Sequence, residues 1–269
     1  MATAPIMFRR VTIIDIAGDN WETSFNAKDY HITFDVPFDS DMTPNEITVN
    51  IFNLSKLSLG RLGKGMSVTV QAGYEGNYGV LSRGKITSIY TFREGLDRIT
   101  ELKITDGQDV TAKKAKKSET FKPWTRSDII IRKIVEMMGL RLAELKMPEN
   151  KQYKKGYVVS GNLISHLSAV AKDNGASVFW KRGSLVIRSL KEPTSEICFL
   201  SEETGLIGSP EYFDEEGAKG YRAKSLLQHK ICPGILVKFE SRTSNGEYRV
   251  RKGRHINNGS EFVTELEVV

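Results

Sequence analysis

Through the first 110 residues, apolar and polar side chains alternate at the two-residue period of a half-buried β-strand. YHITFDV sets Tyr30, Ile32, Phe34 and Val36 on one face. EITVNIFNL does the same with Ile47, Val49 and Ile51, after which Phe52 and Leu54 shift phase, as at a bulge. RRVTIIDI, MSVTVQAGY, KITSIYTF and DRITELKI read as further strands, separated by turn-forming stretches such as YEGNYG and REGLD. Closely spaced strands with turn chemistry between them predict a barrel or a sandwich.

The period then changes. TRSDIIIRKIVEMMG places Ile130, Ile131, Ile134, Val135 and Met138 on one helical face, with Thr125 as N-cap, Asp128 three residues on, and Gly139 as the stop. SGNLISHLSAVAKDNG repeats the arrangement with Ser160 as cap, Leu163, Ile164, Leu167 and Val170 inward, and Gly175 as the stop. ASVFWKRGSLVIRS is a hairpin turning near Arg182-Gly183. After it the two-residue period returns in YRAKSLLQ, ILVKFES, GEYRVRKGRHI and EFVTELEV. The chain is thus α+β and β-dominated, with a small helical unit between two β regions.

Those two regions look alike. Gly65 precedes MSVTV, Gly84-Lys85-Ile86 follows nineteen residues later, and the region closes on RITELKI. Gly234 precedes ILVKF, Gly253 follows at the same interval, and the region closes on FVTELEV. The equal glycine intervals and the shared Thr-Glu-Leu point to a duplicated β unit with Gly65, Gly84, Gly234 and Gly253 at its bends. Gly84-Lys85 also comes one residue short of a phosphate-binding loop. Ile86 stands where such a loop needs Ser or Thr, and ITSIYTF continues as a strand rather than opening a helix, so a strand bend is the better reading.

Composition excludes little beyond this. With 39% apolar and 27% charged residues, the 269-residue chain has room for two or three compact units. No apolar run approaches the roughly 18 residues of a membrane span, and the N-terminus lacks the pattern of a secretory signal, so no stable membrane insertion is expected. The net charge of +6 is modest, and its one concentrated block, KKAKK at 113–117, reads as a solvated linker. Cys198 and Cys232 sit at no metal-ligand spacing and read as buried thiols of a reducing compartment.

No catalytic, cofactor-binding or metal-binding residue emerges. The four histidines form no ligand pair, and His166 reads as a half-buried structural residue. His229 and Cys232 lack an orienting third group. The acid pairs Glu202-Glu203 and Asp214-Glu215-Glu216 read as exposed loops rather than facing carboxylates of a glycosidase. Trp21, Trp124 and Trp180 read as core residues.

PNEITVNIFNLSKLSLGRLGKGMSVTVQAGYEG, with LSRGKITSIYTFREGLDRITELKITDG after it, resembles the N-terminal barrel of bacteriophage baseplate hub proteins of the late control protein D type. The carrying segments are Asn50 to Ser55, Gly65 to Val70, and Ala72-Gly73-Tyr74. The middle segment resembles that family's small α+β insert, and the C-terminal segment its second barrel. The resemblance implies two similar tube-type β-barrels flanking a small α+β domain: 1–112 and 193–269 as barrels, 113–124 as linker, 125–192 between them. It implies a non-enzymatic homotrimer in a virion tail tip or a tail-like bacteriocin, assembled in the bacterial cytoplasm. Three chains with two barrels each would make a ring of six, adapting a sixfold tail tube to a threefold spike. Its partners would be the tube protein or tube initiator above, the spike or tip protein below, and other baseplate proteins. DNA or a tape-measure protein would pass through the hole, and no small-molecule substrate or cofactor is implied. Puncturing or wall degradation would fall to a docked partner. A tail-associated peptidoglycan hydrolase and a small-barrel nucleic-acid-binding protein remain the alternatives.

Overall fold

The computed structural model describes residues 7–19, 21–107, 118–192, 197–215 and 217–269. The lysine block at 113–117, part of the expected linker, Glu216, and the residues around the second expected boundary lie outside them. In chain order the first elements are β1 (Arg10–Ala17), β2 (Glu22–Asn26), β3 (Ile32–Phe38), β4 (Glu46–Phe52), α1 (Lys56–Arg61), β5 (Ser67–Tyr74), β6 (Asn77–Glu94) and β7 (Asp97–Asp106). Then come β8 (Glu119–Phe121), β9 (Thr125–Arg126), α2 (Ser127–Met138), β10 (Leu142–Lys146), β11 (Gln152–Tyr153), β12 (Tyr157–Val159), α3 (Leu163–Asp173), β13 (Ser177–Lys181) and β14 (Ser184–Arg188). The last are β15 (Ile197–Ser201), β16 (Leu206–Glu215), β17 (Ala218–Leu226), β18 (Leu236–Glu240), β19 (Asn245–Asn257) and β20 (Phe262–Val268).

These elements form two compact units. One comprises the described residues up to Asp39, Asn45–Asp106, and those from Ile197 onward; the other comprises Ser40–Pro44 and the described residues between 107 and 192. In the smaller unit β10, β14 and β13 form a sheet, and the apolar faces of α2 and α3 share one core with it. The hairpin turns at Arg182 and Gly183, with φ of 51° and 77°, the left-handed pair that a two-residue loop requires.

Both helix starts fall later than the Ser/Thr pattern indicates. The N-cap of α2 is Arg126, while the Thr125 hydroxyl is spent on Lys122 O at 2.7 Å. Asn162 caps α3, its side-chain oxygen accepting from Ile164 N at 2.9 Å and Ser165 N at 3.3 Å. Asn162→Ala should therefore cost about 1 kcal/mol in a denaturant melt, whereas Ser160→Ala, on an exposed residue, should stay within about 0.5 kcal/mol.

The larger unit is built on one sheet of strand order β16-β17-β20-β19-β3-β4-β7-β6-β5-β1-β2, with β18 pairing β19 and β15 pairing β18. Alternation does its expected work in β3 and β4, where Ile32, Phe34, Val36, Ile47, Val49 and Ile51 are all buried. The phase shift after Ile51 is a strand end, not a bulge. Asn53 takes φ 56°, donates to Asp97 Oδ1 at 2.7 Å and accepts from Arg98 N at 2.9 Å, which lets Leu54 turn back into the core. One core lies under β1–β7 and a second under β15–β20. They exchange residues: Phe262 and Leu227 belong to the first core, and Phe38 to the second.

Candidate assembly surface

The strand order contains the same run twice. The first is β3-β4-β7-β6-β5-β1, the second β16-β17-β20-β19-β18-β15, and the two are fused where β19 pairs antiparallel with β3. Equivalent bonds mark equivalent positions. Gly65 N donates to Ile86 O at 2.8 Å and Ile86 N to Met66 O at 2.9 Å; Gly234 N donates to Val250 O at 2.9 Å and Val250 N to Ile235 O at 3.0 Å. Thr100 and Thr264 are both fully buried opposite β6 and β19 respectively. The runs differ in one pairing: β1 is antiparallel to β5, whereas β15 is parallel to β18.

Of the four glycines singled out in the sequence, Gly65 and Gly234 lie in turns at φ 87° and 82°. Gly84 and Gly253 lie inside strands, where a Cβ would meet the carbonyl oxygens of Thr105 and Glu265 at 2.1 and 2.2 Å. Their equal intervals do not mark equivalent sites. Gly253 faces Leu266, whose counterpart Leu102 faces Ile89, so the residue matching Gly253 is Ile89. β6 carries Gly84-Lys85 through an unbroken strand with no helix behind it, which rules out a phosphate loop there.

On the face away from the cores, charges of opposite sign alternate across strands. Lys224 reaches Glu261 at 2.5 Å and Glu265 at 3.6 Å, and Arg254 bridges Glu265 at 3.9 Å and Asp35 at 3.1 Å. Glu267, 7% exposed, is ringed by Arg251 at 2.8 Å, Arg222 at 3.5 Å and Lys252 at 3.6 Å. An open groove of about 830 Å³ follows this ladder along Phe38, Arg222, Lys224, Arg254 and Glu265. The hydrogen bond from Arg222 holds the Glu215 carboxyl below its ordinary range, and Lys224 does the same to Glu261. Carboxyls shifted downward keep these pairs intact above the usual carboxylate range and lose them only as pH falls through the lowered one.

Other sequence-selected residues are scattered and serve structure. His166 lies between Tyr157 and Ser160, its Nδ1 3.0 Å from the Tyr157 hydroxyl and its Nε2 2.8 Å from Ser160 O and 3.2 Å from Ser160 N, so the ring ties β12 to the start of α3. Cys232 is buried and Cys198 half-buried, its thiol pushed up to about 11 by burial. Asp214 and Glu215 are not loop residues but part of β16, paired with Lys219 at 2.7 Å and Arg222 at 2.6 Å. Trp180 is buried in the core of the smaller unit and Trp21 is partly buried against the first core of the larger unit, but Trp124 corrects the expectation. It sits 58% exposed at φ 68°, because the turn between β8 and β9 leaves its ring outside the core. Among the described residues no group of His, Cys, Asp and Glu is arranged to hold a metal, and no helix is long and apolar enough to cross a membrane.

No protein-family model matches the sequence, and no curated protein does. Solved structures do share its fold. A tail protein from Neisseria meningitidis superposes with a TM-score of 0.69 at 11% identity, over 96% of both chains. The 43 kDa tail protein of prophage MuSo2 from Shewanella oneidensis gives 0.67 at 8% identity, over 97% of this chain and 98% of that one. A component of the Escherichia coli type VI secretion system, itself similar to the T4 bacteriophage tail proteins gp27 and gp5, gives 0.64 at 10% identity, over 95% of this chain and 76% of that one.

Proposed function

We propose, from a fold held in common with phage tail proteins, that this chain is the structural hub of a tail or tail-like particle. Three copies form a ring of six similar β units that joins a sixfold tube to a threefold tip. The observation carrying this reading is the repeated strand order within one chain. A threefold object offers six similar positions only when each subunit contributes two. Each run, with its own core, supplies one tube-type barrel of 1–112 or 193–269, and the α+β domain of 125–192 is set between them in sequence.

The charge ladder suits the wall of the central hole. Each cation on it has a carboxylate beside it, so the surface is strongly hydrated without carrying a net field that would trap a polyanion. DNA or an extended tape-measure protein could pass such a wall without being retained. The ring's upper face would meet the tube or its initiator and its lower face the spike, inside a virion or tail-like particle built in the host cytoplasm. No reaction is assigned to it.

Antibody against this chain should label intact particles at the tail tip only, and a strain lacking the gene should release no complete tails. Label distributed along the tube, or normal tails from the deletion strain, would overturn the reading. Clearing of a cell-wall gel by the purified protein would favour a hydrolase instead.

A further inference from the structure

We propose that copies of this chain join edge to edge through residues 89–92 of β6 and 211–214 of β16, in the register of the β19–β3 junction inside each chain. This names the subunit contact of the ring and rests on the hub reading.

The internal junction serves as the template. In it Gly253 faces Phe38, Arg254 faces Pro37, His255 faces Val36 and Ile256 faces Asp35. Each partner has a counterpart in the other run. Matching β20 to β7 by Leu266 and Leu102 sets Gly253 on Ile89 and His255 on Thr91. Matching β17 to β4 sets Val36 on Tyr212 and Asp35 on Glu211. The two counterparts are the sheet edges left open. β5 pairs β6 only through Lys85, so among the described residues no strand covers 88–94 on the side away from β7. β16 ends the sheet, pairing β17 alone. The chain therefore carries one copy of the junction filled and its two halves exposed at separate edges.

Transferring the register puts Ile89 opposite Asp214, Tyr90 opposite Phe213, Thr91 opposite Tyr212 and Phe92 opposite Glu211. No like charges meet. Each edge holds a large aromatic side chain in the open, Tyr90 on β6 and Tyr212 on β16, beside the charges by which an edge strand ordinarily discourages pairing. Tyr90 is 62% exposed and stacked on Phe92, and Tyr212 is 59% exposed although it points, like Val36, to the core side. Pro210 lies in the β16 bulge next to the pairing segment, a position that suits an edge strand ending its ladder. The contact is head-to-tail, using different surfaces on each copy, so it closes into a ring when the rotation at each junction is repeated.

The test is a cysteine pair, Thr91→Cys/Tyr212→Cys, in a Cys198→Ser background that leaves buried Cys232 in place. Directly opposed residues of an antiparallel pair have Cα atoms about 4.5–5.5 Å apart, within disulfide reach. Mild oxidation should give linked dimers and a closed trimer on a non-reducing gel. Tyr90→Cys/Tyr212→Cys, whose side chains fall on opposite faces, should give none. Thr91→Lys/Tyr212→Lys, which folds with an unchanged circular dichroism spectrum, should lower the solution mass to that of a monomer. A trimeric mass without the crosslink, or one that survives the lysine pair, overturns this edge pairing and leaves the hub reading standing. A monomeric mass at high protein concentration with no crosslink counts against both.

Discussion

Replacing Phe262 with alanine should lower the unfolding free energy by about 3–5 kcal/mol. Phe262 is 2% exposed and lies on β20, in the second run of strands, yet its ring packs in the first core. Tyr74 meets it edge-on at 5.5 Å and Phe34 at 6.2 Å, with the Arg10 guanidinium 5.4 Å from its centroid. Truncation leaves a cavity lined by strands that are hydrogen-bonded on both sides and cannot collapse into it. Because Phe38 makes the reciprocal exchange into the second core, both cores should melt in one transition of lowered midpoint when followed by intrinsic fluorescence in urea. A loss below about 1 kcal/mol would mean that the exchanged ring contributes little.

Gly253→Ala should be nearly as damaging, at about 3 kcal/mol, even though it adds a single methyl group. The new Cβ would stand 2.2 Å from Glu265 O and 2.6 Å from the Phe38 ring, and neither the backbone of β20 nor a ring wedged at the β19–β3 junction can swing aside. Gly60→Ala is the matched control. It lies in α1 with nothing within 4 Å, so alanine there should be neutral or stabilise by up to about 1 kcal/mol. Equal melting temperatures for the two variants would refute the close approach at the junction.

How much of this was legible depends on how local each signal is. The strict alternation in β3, β4 and β5 marked both the strands and their buried faces, since one residue of slippage would invert every side chain. α2 and α3 were legible from Ile130, Ile134, Leu163 and Leu167, but their first turns were not. Thr125 and Ser160 are cap types as good as Asn162, and local bonds decide: the Thr125 hydroxyl is taken by Lys122 O three residues back, while Asn162 Oδ1 accepts from Ile164 N. β16 does not stand out in the sequence because Gly208 and Pro210 interrupt its pattern at the bulge. The glycine intervals suggested a repeat at positions that do not correspond, while the backbone bonds of Gly65 and Gly234 mark where the two runs match. Nothing in the sequence distinguishes a covered strand edge from an open one. That follows from long-range pairing, and so Tyr90 and Tyr212 carried no sign of their exposure.

The shortest route to a decision is the purified protein itself, weighed in solution and averaged from electron micrographs viewed down its symmetry axis. Three chains around a hole, with six comparable lobes of density at threefold symmetry, are expected. A compact particle without a hole, or a ring whose lobes equal its chains in number, would contradict the claim that one polypeptide supplies two interchangeable sectors.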